Sequence, residues 1–207
     1  MNEIKEYDHT VKIIITGDTG KSSFISRAID DLFINPNSTP YLPYHNSNPN
    51  EFIKGNIFSY NNLLYLVNLH EYYQEKFRTI NNNSFRGANC NFILYDVCNQ
   101  KSFDNVIGYY QESQRYGKDG IHLFLIGVKI DDIENRIIDY ETASTLARSY
   151  DMSYFEVNNK SPSPLEKEIY QKIIETAIKK IHEEYLDSEP PIIQINKKSG
   201  VFGLKKK

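Results

Sequence analysis

The segment with the most chemical potential lies near the amino end and reads Gly17-Asp18-Thr19-Gly20-Lys21-Ser22-Ser23. It follows a short apolar run, Val11 to Ile15, and precedes a stretch with helical spacing. A glycine turn at such a junction exposes backbone amides, and the first turn of a helix favours an anion. Lys21 can reach the outer oxygens of a polyphosphate, and Ser22 offers a hydroxyl to Mg2+. The usual phosphate-cradling pattern places four residues between its first glycine and the Gly-Lys pair. Here only Asp18 and Thr19 stand between them, and a shorter arch exposes fewer amides. The same residues also suit a plain glycine turn with Ser22 as a helix cap. The segment by itself leaves both readings open.

The flanking pattern supplies the elements that must position this loop. Val11 to Ile15 suits a strand buried on both faces. From Ser22 onward, Phe24, Ile25, Ala28, Ile29, Leu32 and Phe33 recur at helical spacing. Residues 35–50 carry Pro36, Pro40, Pro43 and Pro49 among Asn and Ser, which predicts a loop. Phe52 to Tyr60 and Leu63 to Leu69 read as strands joined by a tight turn at Tyr60-Asn61-Asn62. Asn91 to Val97, His122 to Val128 and Tyr154 to Val157 are further apolar strands. Between them, Ser102 to Tyr116 and Tyr140 to Tyr150 read as helices. Leu165 to Leu186 is a helix with one apolar stripe: Ile169, Ile173, Ile174, Ala177, Ile178, Ile181 and Tyr185. Strands alternating with helices predict an α/β domain, a mostly parallel six-stranded sheet with helices on both faces. Ligands bind such sheets at the carboxyl ends of the strands. The loops after Ile15, Leu69, Val97, Val128 and Val157 are therefore the candidates.

Bulk properties narrow the setting. A net charge of −3 gives no electrostatic ground for nucleic-acid binding. Cys90 and Cys98 fall along one apolar run, cannot bridge each other, and point to a reducing compartment. The first ten residues are polar, without the apolar core of a signal peptide. No run approaches the ~20 apolar residues that span a bilayer. The expectation is a cytoplasmic protein with a short extension over residues 1–9, one domain over 10–186 and a flexible basic tail over 187–207. His9, His45, His122 and His182 show no metal-ligand spacing.

Several further segments resemble one family. Gln74-Glu75-Lys76-Phe77-Arg78-Thr79-Ile80, Phe85-Arg86-Gly87-Ala88, Ile93-Leu94-Tyr95-Asp96-Val97 and Lys101-Ser102-Phe103-Asp104-Asn105-Val106 follow one another with the spacing of Rab proteins. Leu125 to Asp131 resembles the strand that ends in Asn-Lys-x-Asp, and Phe155 to Lys160 the Glu-Thr-Ser-Ala-Lys region. Over about residues 10 to 185 the chain resembles a divergent Ras-like small GTPase of the Rab branch. The resemblance implies a P-loop NTPase fold, GTP or GDP with Mg2+ as ligands, and a switch function in membrane trafficking. It implies nucleotide contacts from Gly17 through Ser23 and from Lys129, Asp131, Asn159 and Lys160. It places Mg2+ on Ser22 and on Ser47, with Thr39 competing for the latter role, and it gives Gln74 the task of orienting water. Effectors or regulators would contact residues 38–52, where Phe52 matches the effector strand, and residues 70–87.

The chain also departs from the family pattern. His70 stands at the metal-linked Asp, Tyr73 at the glycine that senses the outermost phosphate, and Val128 at the Asn of the base segment. With the short loop, these changes predict weak or absent hydrolysis. They leave open a nucleotide-free pseudo-GTPase that serves as an interaction scaffold. On that reading Gln74 is a surface residue and Asp131 an acidic loop residue beside Asp132. The chain ends in three lysines without a cysteine, so no prenyl anchor is expected. Lys197, Lys198 and the terminal lysines allow at most a weak peripheral contact with an anionic membrane.

Overall fold

The computed structural model describes residues 7–31, 53–72, 84–160 and 163–188. The first strand, β1 (His9–Gly17), places Val11, Ile13 and Ile15 on one face of the sheet and Ile14 on the other. Helix α1 (Lys21–Ser26) continues as a π-helical turn over Arg27–Asp31. Strands β2 (Ile53–Tyr60) and β3 (Leu63–Glu71) form the expected hairpin. Asn61 and Asn62 both have positive φ (48° and 63°), as a two-residue primed turn requires. Then come β4 (Cys90–Asp96), α2 (Gln100–Asp104), α3 (Val106–Tyr116), β5 (His122–Val128), α4 (Tyr140–Ser149), β6 (Ser153–Val157) and α5 (Pro164–Ser188).

The six strands lie in the order β2-β3-β1-β4-β5-β6. β2 is antiparallel to β3, and every other pair is parallel. The order reverses at β1, whose neighbours are β3 and β4. The crevice beyond its carboxyl end is thus the topological switch point where open α/β sheets bind ligands. One core joins the sheet to α1 and α5 through Phe24, Ile25, Phe92, Phe124, Ile174 and Ile178. The other joins it to α3 and α4 through Ile93, Tyr95, Val106, Leu125, Ala143 and Ala147. Burying each large apolar side chain contributes roughly 1.5–3 kcal/mol.

Local chemistry sets the element ends. Asn99 caps α2 by accepting from Ser102 N at 3.2 Å, and Asp139 caps α4 by accepting from Thr142 N at 2.7 Å. Ser163 and Glu166 form a reciprocal capping box at the start of α5, at 3.3 and 3.4 Å. At the far end of α5, Tyr185 stacks on His9 at 4.8 Å and His182 shares a 2.7 Å hydrogen bond with Tyr65. The stretch expected as one helix over Ser102 to Tyr116 is two, α2 and α3, meeting at Asn105. Among the described residues no helix is long and apolar enough to cross a membrane.

One difference from the sequence expectation bears on the site. β3 runs past Leu69 to Glu71, because the parallel ladder with β1 continues through His70↔Ile14 and Glu71↔Ile15. The Tyr72 amide extends it by donating to Ile15 O at 2.9 Å. Polar His and Glu look like a strand end in sequence, but the partner strand carries the pairing on.

Candidate nucleotide site

β1 delivers the loop against the backbone of β4. Gly17 adopts φ +117°, and a Cβ there would lie 2.1 Å from Leu94 O. Only glycine fits that approach. The loop turns again at Gly20, φ +75°, which is the residue before α1 and carries no side-chain cap. Ser22 therefore does not cap the helix; it lies inside its first turn. Asp18 is anchored sideways, accepting from Asn105 Nδ2 and Tyr109 Oη, both at 2.7 Å. Burial, and next the bond to Asp18, pushes the Tyr109 hydroxyl pKa up, which keeps it a donor. Thr19 is half-buried and Ser23 exposed on α1.

Lys21 folds over the loop, its Nζ donating to Gly17 O at 2.7 Å. Burial lowers its pKa, opposed by the charges of Glu71 and Asp18. The Ser22 hydroxyl lies 2.8 and 3.0 Å from the two carboxylate oxygens of Glu71. Glu71 and Ile15 are paired neighbours on the α1 side of the sheet, whereas His70 pairs with Ile14 on the opposite side. Strand side chains alternate, so adjacent residues cannot share a face. His70, the residue at the family's metal-linked Asp, thus lies on the face away from Ser22, and its neighbour Glu71 is the carboxylate beside Ser22. His70 itself is neutral at neutral pH, because burial, and then Lys12, lowers its pKa to about 4.

A hydroxyl and a carboxylate are hard oxygen donors of the kind Mg2+ prefers, and Mg2+ commonly takes one or two protein oxygens alongside phosphate oxygens. Among the described residues no group of three or more His, Cys, Asp or Glu could hold a metal ion by itself. Ser22 and Glu71 therefore fit an ion shared with a phosphorylated ligand, not an all-protein cage.

The part of the site expected to face a base is assembled from the loops after β5 and β6. Val128 is fully buried. Lys129 takes φ +66° and its Nζ meets Asp96 Oδ2 at 2.5 Å. Asp131 is ion-paired with Lys160 at 2.9 Å, which raises the Lys160 pKa through that hydrogen bond. Asn159 lies between the two halves: its Nδ2 donates to Gly20 O at 3.2 Å and its Oδ1 accepts from the Tyr170 hydroxyl. Arg27 fastens the same loop, Nε to Asn159 O and Nη2 to Lys160 O, both at 3.1 Å.

The structure thus brings Gly17, Asp18, Thr19, Gly20, Lys21, Ser22 and Ser23 onto one loop and helix start, with Asn159 against it, while Asp131 pairs with Lys160 and Lys129 with Asp96. Ser47, Thr39, Phe52, Tyr73 and Gln74 lie outside the described residues. Of the segments expected to face partners, all of 38–52 and residues 73–83 lie outside them as well. Sequence reasoning missed Glu71, Arg27, Tyr170, Asn105 and Tyr109. Glu71 was within reach of it, since extending the strand pairing by two residues puts a carboxylate opposite Ser22. The others act across long sequence separations that no local pattern signals.

Comparison with known proteins agrees with this layout. The profile of the Ras family matches residues 12–182. The chain is 34% identical over 167 residues to the Ras-related protein Rab-1 of Theileria parva, covering 79% of this chain and 73% of that one. It is 32% identical over 163 residues to the Ras-related protein RABD2a of Arabidopsis thaliana, covering 78% and 77%. It is 30% identical over 164 residues to the GTP-binding protein ypt1 of Schizosaccharomyces pombe, covering 78% and 77%.

Proposed function

The chain belongs to the Ras family, as a divergent member of its Rab-related branch, and from that premise we propose that it is a guanine-nucleotide-binding switch of membrane trafficking. The observation that carries this reading is the loop at the topological switch point, with Lys21 Nζ folded over it and the Ser22–Glu71 oxygens beside it. Gly17, Asp18, Thr19 and Gly20 offer backbone, and Lys21 and the start of α1 offer positive charge to the phosphates. Ser22, Glu71 and Ser47 are the oxygens that would hold Mg2+, which when bound neutralises charge on phosphate oxygens. Asp131 reads guanine N1 and N2 donors, Lys129 lies along the base, and Asn159 and Lys160 close the pocket. Gln74 orients the attacking water. Tyr73, with a side chain where close backbone approach to phosphate is needed, makes hydrolysis slow.

One observation favours a second reading, the scaffold without nucleotide. Lys21, Glu71, Lys129 and Asp131 each have an intramolecular partner, so these charged groups are satisfied within the chain. Titration with fluorescent GDP and GTP, with and without Mg2+ and with ATP as competitor, separates the two. Micromolar or tighter binding that Mg2+ strengthens and ATP does not displace is the expected result. No binding at about 1 mM nucleotide, about −4 kcal/mol, sinks the switch and leaves the scaffold.

A further inference from the structure

We infer that Asn159 is a positioning residue that holds the shortened phosphate loop in place, supplying from the loop after β6 the side-chain amide that Val128 lacks. The inference rests on the nucleotide-site reading for its functional consequence, though not for the contact itself. Gly20 is the point the tether holds. It ends the loop, has left-handed φ, and starts α1 without a side-chain cap. Its carbonyl oxygen has two lone pairs. One accepts from Phe24 N at 2.8 Å within α1, and the other from Asn159 Nδ2 at 3.2 Å.

The orientation of that amide follows from its neighbours. Gly20 O can only accept, so the NH2 must face it; turned over, the amide would set oxygen against oxygen. The remaining amide oxygen then accepts from the Tyr170 hydroxyl. Tyr170 is a firm base for this relay. Its ring is 2% exposed and lies 5.2 Å from the Phe24 ring in the α1–α5 core. Arg27 fixes the Asn159 backbone from the other side through Asn159 O and Lys160 O.

Val128 reaches the same point from β5. A Cβ on Gly20 would meet Asn159 Nδ2 at 3.0 Å and Val128 Cγ2 at 3.2 Å. Two walls therefore close on Gly20, one apolar and one polar. Asn159 ties the phosphate loop to the strand end that carries the base loop, so phosphate and base contacts are set in one frame.

The test uses the full chain and five proteins: wild type, Asn159→Ala, Asn159→Asp, Val128→Asn and the Asn159→Ala/Val128→Asn double variant. Hydrogen–deuterium exchange over residues 17–24 reads the tether directly, and the dissociation rate of fluorescent GDP reads its consequence. Asn159→Ala should speed exchange of that segment and GDP release by about tenfold each. Val128→Asn should restore both in the double variant, because it places an amide on the other wall of Gly20. That rescue is not expected of a residue that merely fills space. Asn159→Asp, which keeps the size but removes the donor, should release GDP at least as fast as Asn159→Ala. Unchanged exchange in Asn159→Ala, or no rescue by Val128→Asn, overturns the inference. If exchange speeds up and is rescued while the wild type binds no nucleotide, the tether stands and the switch reading falls.

Discussion

At the end of the candidate site assigned to phosphate, Gly17 and Glu71 sit on β1 and β3, and each is fixed by a ladder of backbone pairs. At the base end, Lys129, Asp131 and Lys160 sit on loops, and each is held by a side-chain ion pair. The two ends absorb sequence change differently. On a strand, only a residue of the right parity can serve, as Glu71 and not His70 does toward Ser22. On a loop, a replacement can come from any chain that passes within reach, as Asn159 does from beyond β6. Ladder positions should therefore be costly to alter, and loop ion pairs cheap.

Four measurements test that contrast. The largest effect belongs to Gly17→Val. Left-handed strain and a contact at 2.1 Å with Leu94 O both oppose a side chain. We expect a loss of about 3–5 kcal/mol in denaturant unfolding; a loss under about 1 kcal/mol would show that the β1–β4 frame yields.

The next effect is a pH dependence seated on His70. Its folded pKa of about 4 lies below the reference 6.5. The unfolded chain therefore binds more protons across that interval, and stability falls as pH drops from about 6.5 toward 4. The loss is at most about 3 kcal/mol. Urea unfolding at pH 7 and pH 5 should show it, and His70→Gln should flatten the difference. An equal slope in that variant would place the titration elsewhere.

Glu71→Gln comes third. We expect the gain in nucleotide affinity from Mg2+ to shrink about tenfold or more, with little change when Mg2+ is absent. His70→Asp should not restore it, because position 70 faces Lys12 and the α3 side. Restoration by that variant would refute the parity argument. The smallest effect is Lys160→Ala, whose ion pair is at the surface, with the Lys160 side chain 73% exposed. No measurable change in Tm is expected. A clear drop would mean that the base end is as rigidly built as the phosphate end.

Much of the frame was legible in sequence, for reasons these residues make plain. Val11 to Ile15, Asn91 to Val97 and His122 to Val128 are continuous apolar runs, and such runs mark strands covered on both faces. Asn61-Asn62 fixes the β2–β3 register through its positive φ values. The Gly17 to Ser23 loop announces itself by glycine and lysine spacing. The site's compensations were not legible. The sequence ended β3 at Leu69, because His70 and Glu71 look like solvent residues, and so missed which of them faces Ser22. Comparing Val128 with the family's Asn showed a loss, but the replacing amide lies 31 positions on, at Asn159. Contacts of that kind depend on how β6 and α5 return to the loop, which no periodicity encodes.

Helix α5 spans 25 residues, about 37 Å at 1.5 Å per residue. Tyr170, near its first turns, touches the loop through Asn159, and Tyr185, near its last, stacks on His9. Ser188 therefore lies at the pole opposite the Gly17–Ser23 loop, with the length of α5 between the two.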